Sequence, residues 1–314
     1  MAAGERSSLD ISVFILSYNR AEYLREALLA VLRQDRKPSE VVILDNGSQP
    51  VVKEKVHDLL EGPVRWEGAE TTHSPFWNMD RAFALAKGKY LVMLHDDDRI
   101  CPTFIREQHD FLERHPEAVA VGCNALLIDE RGERKGTMLK NAGETERFFR
   151  SGAQMALQYT RSSNPPFPSF VYRNGFPQRV RFKEEFCKVA DCPFICELAE
   201  LGPVGFLNRP LMEYRVHAGQ DSVTYPEDSL RARDRMLVEM GVKDAAVRRE
   251  ILLKISKDQT IRAFQTWRRE VLTKRRYSAT FRVARNVWPE YFSLSGGLYA
   301  IKSMLVEKLS SRTQ

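Results

Sequence analysis

The chain has 314 residues, of which 43% are hydrophobic and 10% are aromatic, so it can bury one large core or two smaller ones. This composition indicates a globular protein, and no apolar run approaches the roughly 20 residues of a membrane helix. The net charge is +6, but residues 230–314 hold 19 Lys and Arg against 8 Asp and Glu. This basic segment favours an acidic partner, whereas the rest of the chain is mildly acidic.

The N-terminal residues and the cysteines bear on the compartment. Residues 1–10 lack the apolar region of a secretory signal, so we expect a cytoplasmic protein. The five cysteines are an odd number without CxxC spacing, which argues against a disulfide framework. Cys187, Cys192 and Cys196 lie close in sequence but lack a nearby fourth ligand, so no zinc site is expected.

The first hundred residues alternate between strand and helix patterns. Apolar runs predict strands over residues 11–16, 41–44, 64–68 and 89–94. Apolar residues at helical spacing predict helices over 21–34, 51–60 and 78–88, the last of them ending at Gly88. Strands that are apolar on both faces and alternate with helices indicate a mainly parallel sheet covered by helices.

The middle of the chain is less regular. A helix over 102–115, a strand over 118–128 and a turn over 129–134 precede residues 136–182, which are rich in Pro, Gly, Ser and aromatic residues. We expect that irregular region to be a lid or a binding loop, because long loops in compact domains are often functional. A helix over 192–201 and strand pieces over 203–222 follow, and the chain beyond residue 226 is predicted to be helical.

Three predicted strands are followed at once by polar residues, and the carboxyl ends of parallel strands share one edge of the sheet. The three groups are Ser17-Tyr18-Asn19-Arg20, Asp45-Asn46-Gly47-Ser48 and His95-Asp96-Asp97-Asp98. Each has a plainer interpretation as well. Ser17 and Asn19 can cap the following helix, and Asp45 to Ser48 can be only a turn.

The aspartates after the strand at 89–94 are harder to explain as a solvated turn. Asp96, Asp97 and Asp98 repel one another unless a positive charge lies among them. Mg²⁺ and Mn²⁺ prefer carboxylate oxygens, and Mg²⁺ is usually held by one or two carboxylates together with substrate phosphates. The run therefore predicts a divalent metal and a phosphate-bearing substrate.

The ordered set SYNR, DNGS, AKGKY and LHDDD, with a proline four residues beyond, resembles the nucleotide-sugar glycosyltransferases of family 2 over about residues 10–225. The resemblance implies an α/β fold of GT-A type, that is, a Rossmann-like mixed, mainly parallel sheet flanked by helices. It divides the chain into a catalytic domain at 1–225 and a basic helical region at 226–314. The implied activity is transfer of a sugar from a nucleoside diphosphate to an acceptor hydroxyl with inversion, using Mn²⁺ or Mg²⁺.

The resemblance also assigns residues. It implies contacts with the nucleotide-sugar from Ser17, Tyr18, Arg20, Asp45, Asn46, Asp80, Asp96, Arg215 and His217. It implies metal binding by Asp97, with Asp98 and His95 beside it, although His95 stands where the family has its first acid. Asp191 is the expected catalytic base, with Glu184 and Glu185 as weaker candidates; Asp191 can also be a helix cap, and His217 can be purely structural.

The basic aromatic segment at 260–292 leaves two interpretations open. It can lie on the anionic inner face of the plasma membrane, which suits a lipid-linked saccharide acceptor, or it can pack on the catalytic domain. No nucleic-acid partner is expected. A role in bacterial surface polysaccharide or lipopolysaccharide assembly is implied by the family. The alternatives are a noncatalytic nucleotide- or sugar-binding scaffold and a metal-dependent nucleotidyltransferase, although the chain has no GxxxxGK[ST] motif.

Overall fold

A mixed sheet runs through the protein. The computed structural model describes residues 9–139, 145–160, 164–220, 227–241, 244–255 and 258. In chain order the described strands are β1 (Leu9–Ser17), β2 (Pro38–Asp45), β3 (Val64–Gly68), β4 (Tyr90–His95), β5 (Arg99–Ile100), β6 (Ala120–Ile128), β7 (Arg134–Thr137), β8 (Glu146–Phe149), β9 (Val171–Arg173) and β10 (Val204–Arg215). Their order across the sheet is β3-β2-β1-β4-β9-β6-β10-β5, with β7 beside β6 and β8 beside β10.

Helices cover both faces of this sheet. They are α1 (Ala21–Leu32), α2 (Pro50–Val56), α3 (Pro75–Leu85), α4 (Phe104–Arg114), α5 (Gly152–Tyr159), α6 (Asp191–Leu198) and α7 (Glu227–Met240), and residues 245–255 are also helical. The period-two pattern of β1 divides its side chains between two cores. Val13 and Ile15 pack in the core that receives α1, whereas Phe14 packs in the core that receives α3, α5 and α6.

The predicted fold class is confirmed. β1, β2, β3 and β4 are parallel neighbours, and β6 and β10 form a second parallel pair. The two parallel groups are joined by β9, which runs antiparallel to both β4 and β6. The three residues of β9 therefore join the two parallel groups into one sheet.

The prediction that residues 136–182 are irregular is wrong for much of their length. This region contains β8, α5 and β9. Ser151 is the N-cap of α5, and its Oγ accepts a hydrogen bond from the N–H of Gln154. The side-chain Oε1 of Gln154 accepts in turn from the N–H of Arg150. A serine followed three residues later by glutamine is a helix-start signal that the sequence carries.

The position of α3 also differs from the prediction. Ser74 caps α3 by accepting from the N–H of Trp77, so the helix starts three residues before the predicted one, and it ends at Leu85. Gly88 is therefore not its C-cap. A Cβ on Gly88 would lie 2.8 Å from the backbone nitrogen of Ser12, so glycine allows the chain to pass close to β1.

The start of the predicted C-terminal region packs on the catalytic part of the chain. Leu230 and Leu237 of α7 and Ile251 lie in the same apolar core as Ile195 of α6. The division of the chain at residue 225 stays a prediction. The basic aromatic segment at 260–292 lies outside the described residues, and none of the helices within the described ranges has the length and apolar character to cross a membrane.

Candidate active site

The three polar groups lie together at the carboxyl edge of β1, β2 and β4. In the register of the sheet, Ser17 is opposite Asp45 and Leu16 is opposite His95. The pairing continues into the loops, because Asn46 N–H donates to the Ser17 carbonyl and Asp96 N–H donates to the Leu16 carbonyl. The polar residues therefore start from a rigid edge.

The first loop is tied to the other two. Tyr18 N–H donates to Asp96 Oδ2 at 2.9 Å, and the Arg20 guanidinium lies 3.1 Å from both Asp96 Oδ1 and Asp97 Oδ2. Asn19 does not cap α1. Its backbone adopts a positive φ of 54°, its N–H donates to Ser48 Oγ and its Oδ1 accepts from Gln49 N–H. Asn19 thus joins the first loop to the second, which the sequence did not predict.

The second loop is a turn that also presents an oxygen without a partner. Asp45 Oδ2 accepts from the N–H groups of Gly47 and Ser48, as in a tight Asx turn. Asp45 Oδ1 and Ser17 Oγ are both buried without a hydrogen-bond partner among the described residues. Because buried polar atoms are nearly always paired, both are expected to meet a ligand or water. The turn interpretation and the ligand interpretation of Asp45 are therefore compatible.

Asn46 joins the second loop to the loop before α3. Its side-chain amide donates to the carbonyl of His73 at 2.9 Å and accepts from the N–H of the same residue at 3.0 Å. Both ends of the amide thus hold the loop before α3, and the contact of Asn46 with the nucleotide stays a prediction.

The third loop carries three buried carboxyl groups. Burial, and then the neighbouring Asp97, raises the pKa of Asp96 to about 7. The same two causes raise the pKa of Asp98, and Asp98 Oδ2 has no hydrogen-bond partner among the described residues. Burial opposes ionisation of Asp97 as well, but His95, His217 and Arg20 together hold its pKa below the ordinary value. Asp97 is therefore the acid of the three whose ionised form its surroundings favour.

His95, Asp97 and Asp98 can offer one ligand atom each, and these atoms all lie within 4.8 Å of one another. Two carboxylates and an imidazole suit Mn²⁺ in particular, since imidazole is a poorer ligand for Mg²⁺. The unpartnered Oδ2 of Asp98 is an oxygen that a cation would satisfy. The residues present thus fit a divalent metal, and its binding stays a prediction.

Asp96 is the acid of the run whose two oxygens are both bonded to the first loop. Its two oxygens accept from Tyr18 N–H and from Arg20. The structure therefore gives Asp96 the task of fixing the first loop. Its predicted contact with the nucleotide would have to be made in addition to these bonds.

Arg215 is enclosed by the protein. Its side chain is only 1% exposed, and its guanidinium stacks on the ring of Tyr23 at 4.4 Å. The guanidinium donates to three carbonyls and one carboxylate, namely Asp97 O at 2.8 Å, Asp129 O at 3.3 Å, Glu130 O at 3.1 Å and Glu26 Oε2 at 2.6 Å. These bonds hold the backbone of Asp97, and the contact of Arg215 with the nucleotide-sugar stays a prediction.

His217 lies beside Asp97, and its contact with the nucleotide-sugar stays a prediction. Its Nε2 is 3.0 Å from Asp97 Oδ2, and its ring packs 5.4 Å from that of Tyr23. Arg20 reaches the carbonyl of Gly219 and so ties the loop after β10 to the first loop. A cavity of about 630 Å³ opens beside His217, with the β6–β7 turn as its other wall.

Asp191 opens α6 and does not cap it. The N-cap position is Ala190, and no side chain caps the helix. Burial raises the pKa of Asp191, while the N–H of Cys192 and the charge of Arg233 act in the opposite direction. Glu184 and Glu185 are exposed on a 3-10 turn, so Asp191 is the acid that best fits a base of raised pKa.

A cluster of aromatic rings connects Asp191 to the metal-site residues. The ring of Phe167 lies 6.3 Å from that of His95 and 6.0 Å from that of Phe194, which follows Asp191 on α6. Phe167 comes from the region predicted to be irregular. Packed aromatic rings are rigid, so this cluster fixes α6 relative to the acids.

Asp80 lies apart from this group. It lies on α3, where partial burial raises its pKa and the charge of Arg181 acts in the opposite direction. Contacts among the described residues do not join it to the three loops. On the same helix, Trp77 stacks on His73 at 4.0 Å and on Arg81 at 4.6 Å, a contact that the sequence analysis did not predict. Trp77 and Arg81 are four residues apart on a helix, and this spacing would have predicted that their side chains meet.

Comparison with known proteins identifies the family. The model of the glycosyl transferase family 2 matches residues 12–178. An uncharacterized glycosyltransferase of Haemophilus influenzae is 21% identical over 226 residues, which cover 68% of each chain. One from Methanocaldococcus jannaschii is 21% identical over 218 residues, 68% of this chain and 73% of that one.

Solved structures support the fold. S. aureus TarS 1–349 in complex with UDP-GlcNAc superposes with a TM-score of 0.61 at 17% identity, covering 88% of this chain and 78% of that one. The same protein in complex with UDP gives a TM-score of 0.56 at 18% identity, with coverage of 84% and 72%. The chain belongs to glycosyl transferase family 2 and is a glycosyltransferase.

Proposed function

We propose that this enzyme transfers a sugar from a nucleoside diphosphate to an acceptor hydroxyl with inversion at the anomeric carbon. The observation that carries the proposal is the pair of buried, unpartnered carboxylate oxygens, Asp45 Oδ1 and Asp98 Oδ2, on the loops that follow β2 and β4, the two strands on either side of β1. Two such acceptors require a ligand that brings donors and positive charge. A nucleoside together with a metal-bound diphosphate supplies both.

The donor would lie along the three loops. Ser17, Tyr18 and Asp45 would face the nucleoside, since Ser17 Oγ and Asp45 Oδ1 have free hydrogen-bonding capacity and the Tyr18 ring is 46% exposed. The TarS structures that resemble this chain contain UDP-GlcNAc or UDP, which makes UDP-sugars the first donors to test. GDP- and dTDP-sugars are the comparison set.

A divalent metal would be held by Asp97, Asp98 and His95. When bound, it supplies positive charge that offsets the charge gained by the departing diphosphate. Asp97 is suited to this place because its pKa is held low. His217, 3.0 Å from Asp97, would orient that carboxylate and present its imidazole to the diphosphate.

Asp191 would act as the general base. Its carboxylate would take the proton of the acceptor hydroxyl as that oxygen bonds to the anomeric carbon. In the same displacement the bond from that carbon to the diphosphate oxygen breaks, and the electron pair leaves with the diphosphate. A raised pKa brings a carboxylate closer to the operating pH, which favours it as a base.

The acceptor and the cellular role are the finer parts of the proposal. A saccharide or a lipid-linked saccharide suits an enzyme of surface polysaccharide or lipopolysaccharide assembly. A peripheral contact with the inner face of the plasma membrane would depend on the basic residues beyond 258, which lie outside the described residues. Vesicles with and without anionic lipid would test that contact in the full chain.

Calorimetric titration tests the donor site. UDP, GDP and dTDP are added to the native chain, to Asp97→Ala and to Asp110→Ala, each with and without Mn²⁺. Asp110 is an exposed carboxylate on α4 and serves as the matched control. We expect one nucleotide to bind in a metal-dependent way to the native and control proteins, and to lose at least tenfold in affinity with Asp97→Ala. Binding that ignores both the metal and Asp97 would favour the noncatalytic scaffold.

Turnover tests the base. Asp191→Asn should keep nucleotide affinity and lose roughly 10²-fold or more in the rate of sugar release, because a general base contributes about that much. The anomeric configuration of the first product, followed by NMR before it equilibrates, tests inversion. Full activity in Asp191→Asn would remove it from the mechanism.

A further inference from the structure

The guanidinium of Arg20 lies among the acids that follow β4. Its Nη1 is 3.1 Å from Asp96 Oδ1 and 3.1 Å from Asp97 Oδ2. Its Nη2 donates to the carbonyl of Gly219 at 3.2 Å, in the loop that also carries His217. Adjacent aspartates repel one another unless a positive charge lies among them, and in this structure Arg20 supplies such a charge to two of the three.

Arg20 differs from Arg215, another arginine beside these acids. Arg215 is buried and donates to the main-chain carbonyl of Asp97. Arg20 is 28% exposed and pairs with the carboxylate of Asp97. Its backbone is fixed at the start of α1, because its carbonyl accepts from the N–H of Leu24 at 2.9 Å. The long side chain of Arg20 can therefore turn toward a ligand while its backbone stays in place.

The carboxylate of Asp97 cannot serve this guanidinium and a divalent cation equally well. Asp97 Oδ2 lies 3.1 Å from Arg20 Nη1 and 3.0 Å from His217 Nε2. The Asp97 side chain is only 10% exposed, and two positive charges repel more strongly in such surroundings than in open water. A cation that shares Asp97 with Arg20 is therefore held less tightly than one that has this carboxylate to itself.

A diphosphate offers the guanidinium of Arg20 another partner. Arginine matches phosphate oxygens with two parallel N–H donors, and these charge-assisted hydrogen bonds are strong. The proposed donor brings such a group to the same edge of the sheet. When Arg20 pairs with the diphosphate, its positive charge no longer opposes a cation at Asp97.

We propose that Arg20 acts as the counter-ion of Asp97 in the donor-free enzyme and turns to the diphosphate when the donor binds, so that metal binding depends on the donor. The proposal rests on the proposed function, because it takes the donor to be a nucleoside diphosphate sugar. Arg20 is then a positioning residue for the metal carboxylate, in addition to its predicted contact with the nucleotide. The donor-free enzyme holds a divalent ion weakly, and the donor complex holds it tightly.

Titration with Mn²⁺ in the absence of nucleotide tests the first half of the proposal. The EPR signal of the free ion gives the dissociation constant for the native full chain, Arg20→Gln and Arg20→Lys. We expect Mn²⁺ to bind at least about tenfold more tightly to Arg20→Gln, since coupling between two sites is commonly about 5–150-fold. Arg20→Lys keeps the positive charge and should bind Mn²⁺ as weakly as the native chain. An affinity that is unchanged or weaker in Arg20→Gln would overturn the proposal, because loss of a purely structural contact does not tighten metal binding.

Two controls show whether the gain arises at Asp97. Arg25→Gln removes another arginine of α1, which is 30% exposed and pairs with Asp58 at 2.6 Å, so it changes the net charge equally and should leave Mn²⁺ affinity unchanged. Arg20→Gln/Asp97→Ala should lose the gain, because the carboxylate is absent. A gain that appears in Arg25→Gln or persists in the double variant would count against the proposal. Circular dichroism confirms that each variant is folded.

A measurement on the native chain does not depend on the folding of Arg20→Gln. With ¹⁵N-labelled arginine, the Nε signal of Arg20 is identified by its absence from Arg20→Lys. We expect this signal to shift when nucleotide and Mg²⁺ are added together, because the guanidinium changes its partner. A signal that stays in place when both are bound would overturn the proposal.

Nucleotide tests the second half and separates the proposal from the function on which it rests. The nucleotide is the one of UDP, GDP and dTDP that binds in the calorimetric titration. It should tighten Mn²⁺ binding to the native chain, and the factor by which it does so should be at least about tenfold smaller in Arg20→Gln. Equal factors in the two proteins would overturn the proposal. If none of the three nucleotides binds, the donor site is wrong, whereas the Mn²⁺ titration without nucleotide still decides whether Arg20 weakens metal binding at Asp97.

Discussion

Replacing Arg215 by methionine separates the positioning role indicated by the structure from the phosphate contact predicted from the sequence. Methionine has a similar length and leaves the pocket against Tyr23 filled. The change removes the donors to the buried carbonyl of Asp97 and to the partly buried carbonyls of Asp129 and Glu130, and it removes one charged bond to Glu26. If Arg215 holds these segments together, the free energy of unfolding must fall.

The bonds that are lost set the size of the fall in the free energy of unfolding. An acceptor left without its donor costs about 1–3 kcal/mol when it is buried, and Glu26 is 42% exposed, so water recovers part of its loss. The sum agrees with the roughly 3–5 kcal/mol lost when one partner of a buried charged network is removed. At about 2–4 °C per kcal/mol for a chain of this size class, Tm should fall by about 10 °C.

Thermal unfolding followed by circular dichroism measures this fall, and Arg114→Met is the matched control. Arg114 lies on α4, is 56% exposed and pairs with Glu146, which is itself 38% exposed, so its replacement should cost less than about 1 kcal/mol. If Arg215→Met keeps its Tm within about 2 °C while nucleotide affinity falls tenfold, the predicted phosphate contact is right and the positioning role is wrong.

Three further predictions concern the loops and the base. Asp98→Asn should raise the free energy of unfolding at pH 8 by about 1–3 kcal/mol, because it removes a buried acid whose ionisation is unfavourable. It should also abolish the Mn²⁺-dependent part of nucleotide binding by calorimetry. Since the folded-state pKa of Asp98 is raised, this gain should disappear in denaturant titrations near pH 3; a gain that persists there would contradict its origin. Gly47→Ala should lower Tm and weaken nucleotide binding, because Gly47 has a φ of +78° and an added Cβ would lie 2.8 Å from the backbone carbon of Thr71. Gly62→Ala is the control: Gly62 also has a positive φ, but its Cβ would meet open space, so only backbone strain should lower its Tm. In the native enzyme, kcat/KM should rise with pH and level off above the raised pKa of Asp191, and a profile flat from pH 5 to 9 would contradict its role as base.

Strong local patterns made the parallel half of the fold predictable. Residues 11–16 and 41–44 are apolar on both faces because two cores flank β1 and β2, and such runs are seldom anything but buried strands. The shared edge then follows from topology alone. The grouping of His95, Asp97 and Asp98 needed no further information, since the residues are adjacent in sequence.

The features that the sequence did not predict depend on contacts between distant parts of the chain. β9 has only three residues, and its place between β4 and β6 is set by pairing with strands about 50 and 80 residues away, so no local pattern reveals it. Arg215 is the last residue of β10 and precedes a polar loop, and this position in the sequence favours an exposed side chain. Its burial depends on carbonyls of the β6–β7 turn, which become its neighbours only when the sheet has formed.

The charge arrangement explains why the site needs its substrate. Arg20 and His217 already pair with Asp97, and the pKa values of Asp96 and Asp98 are raised, so the three acids by themselves offer a cation little uncompensated negative charge. A divalent ion alone would have to displace Arg20 or a proton, and it should therefore bind weakly. A nucleoside diphosphate brings the negative charge that the loop lacks, and it can satisfy Ser17 Oγ at the same edge. Metal and donor are therefore expected to bind together, each supplying what the other requires.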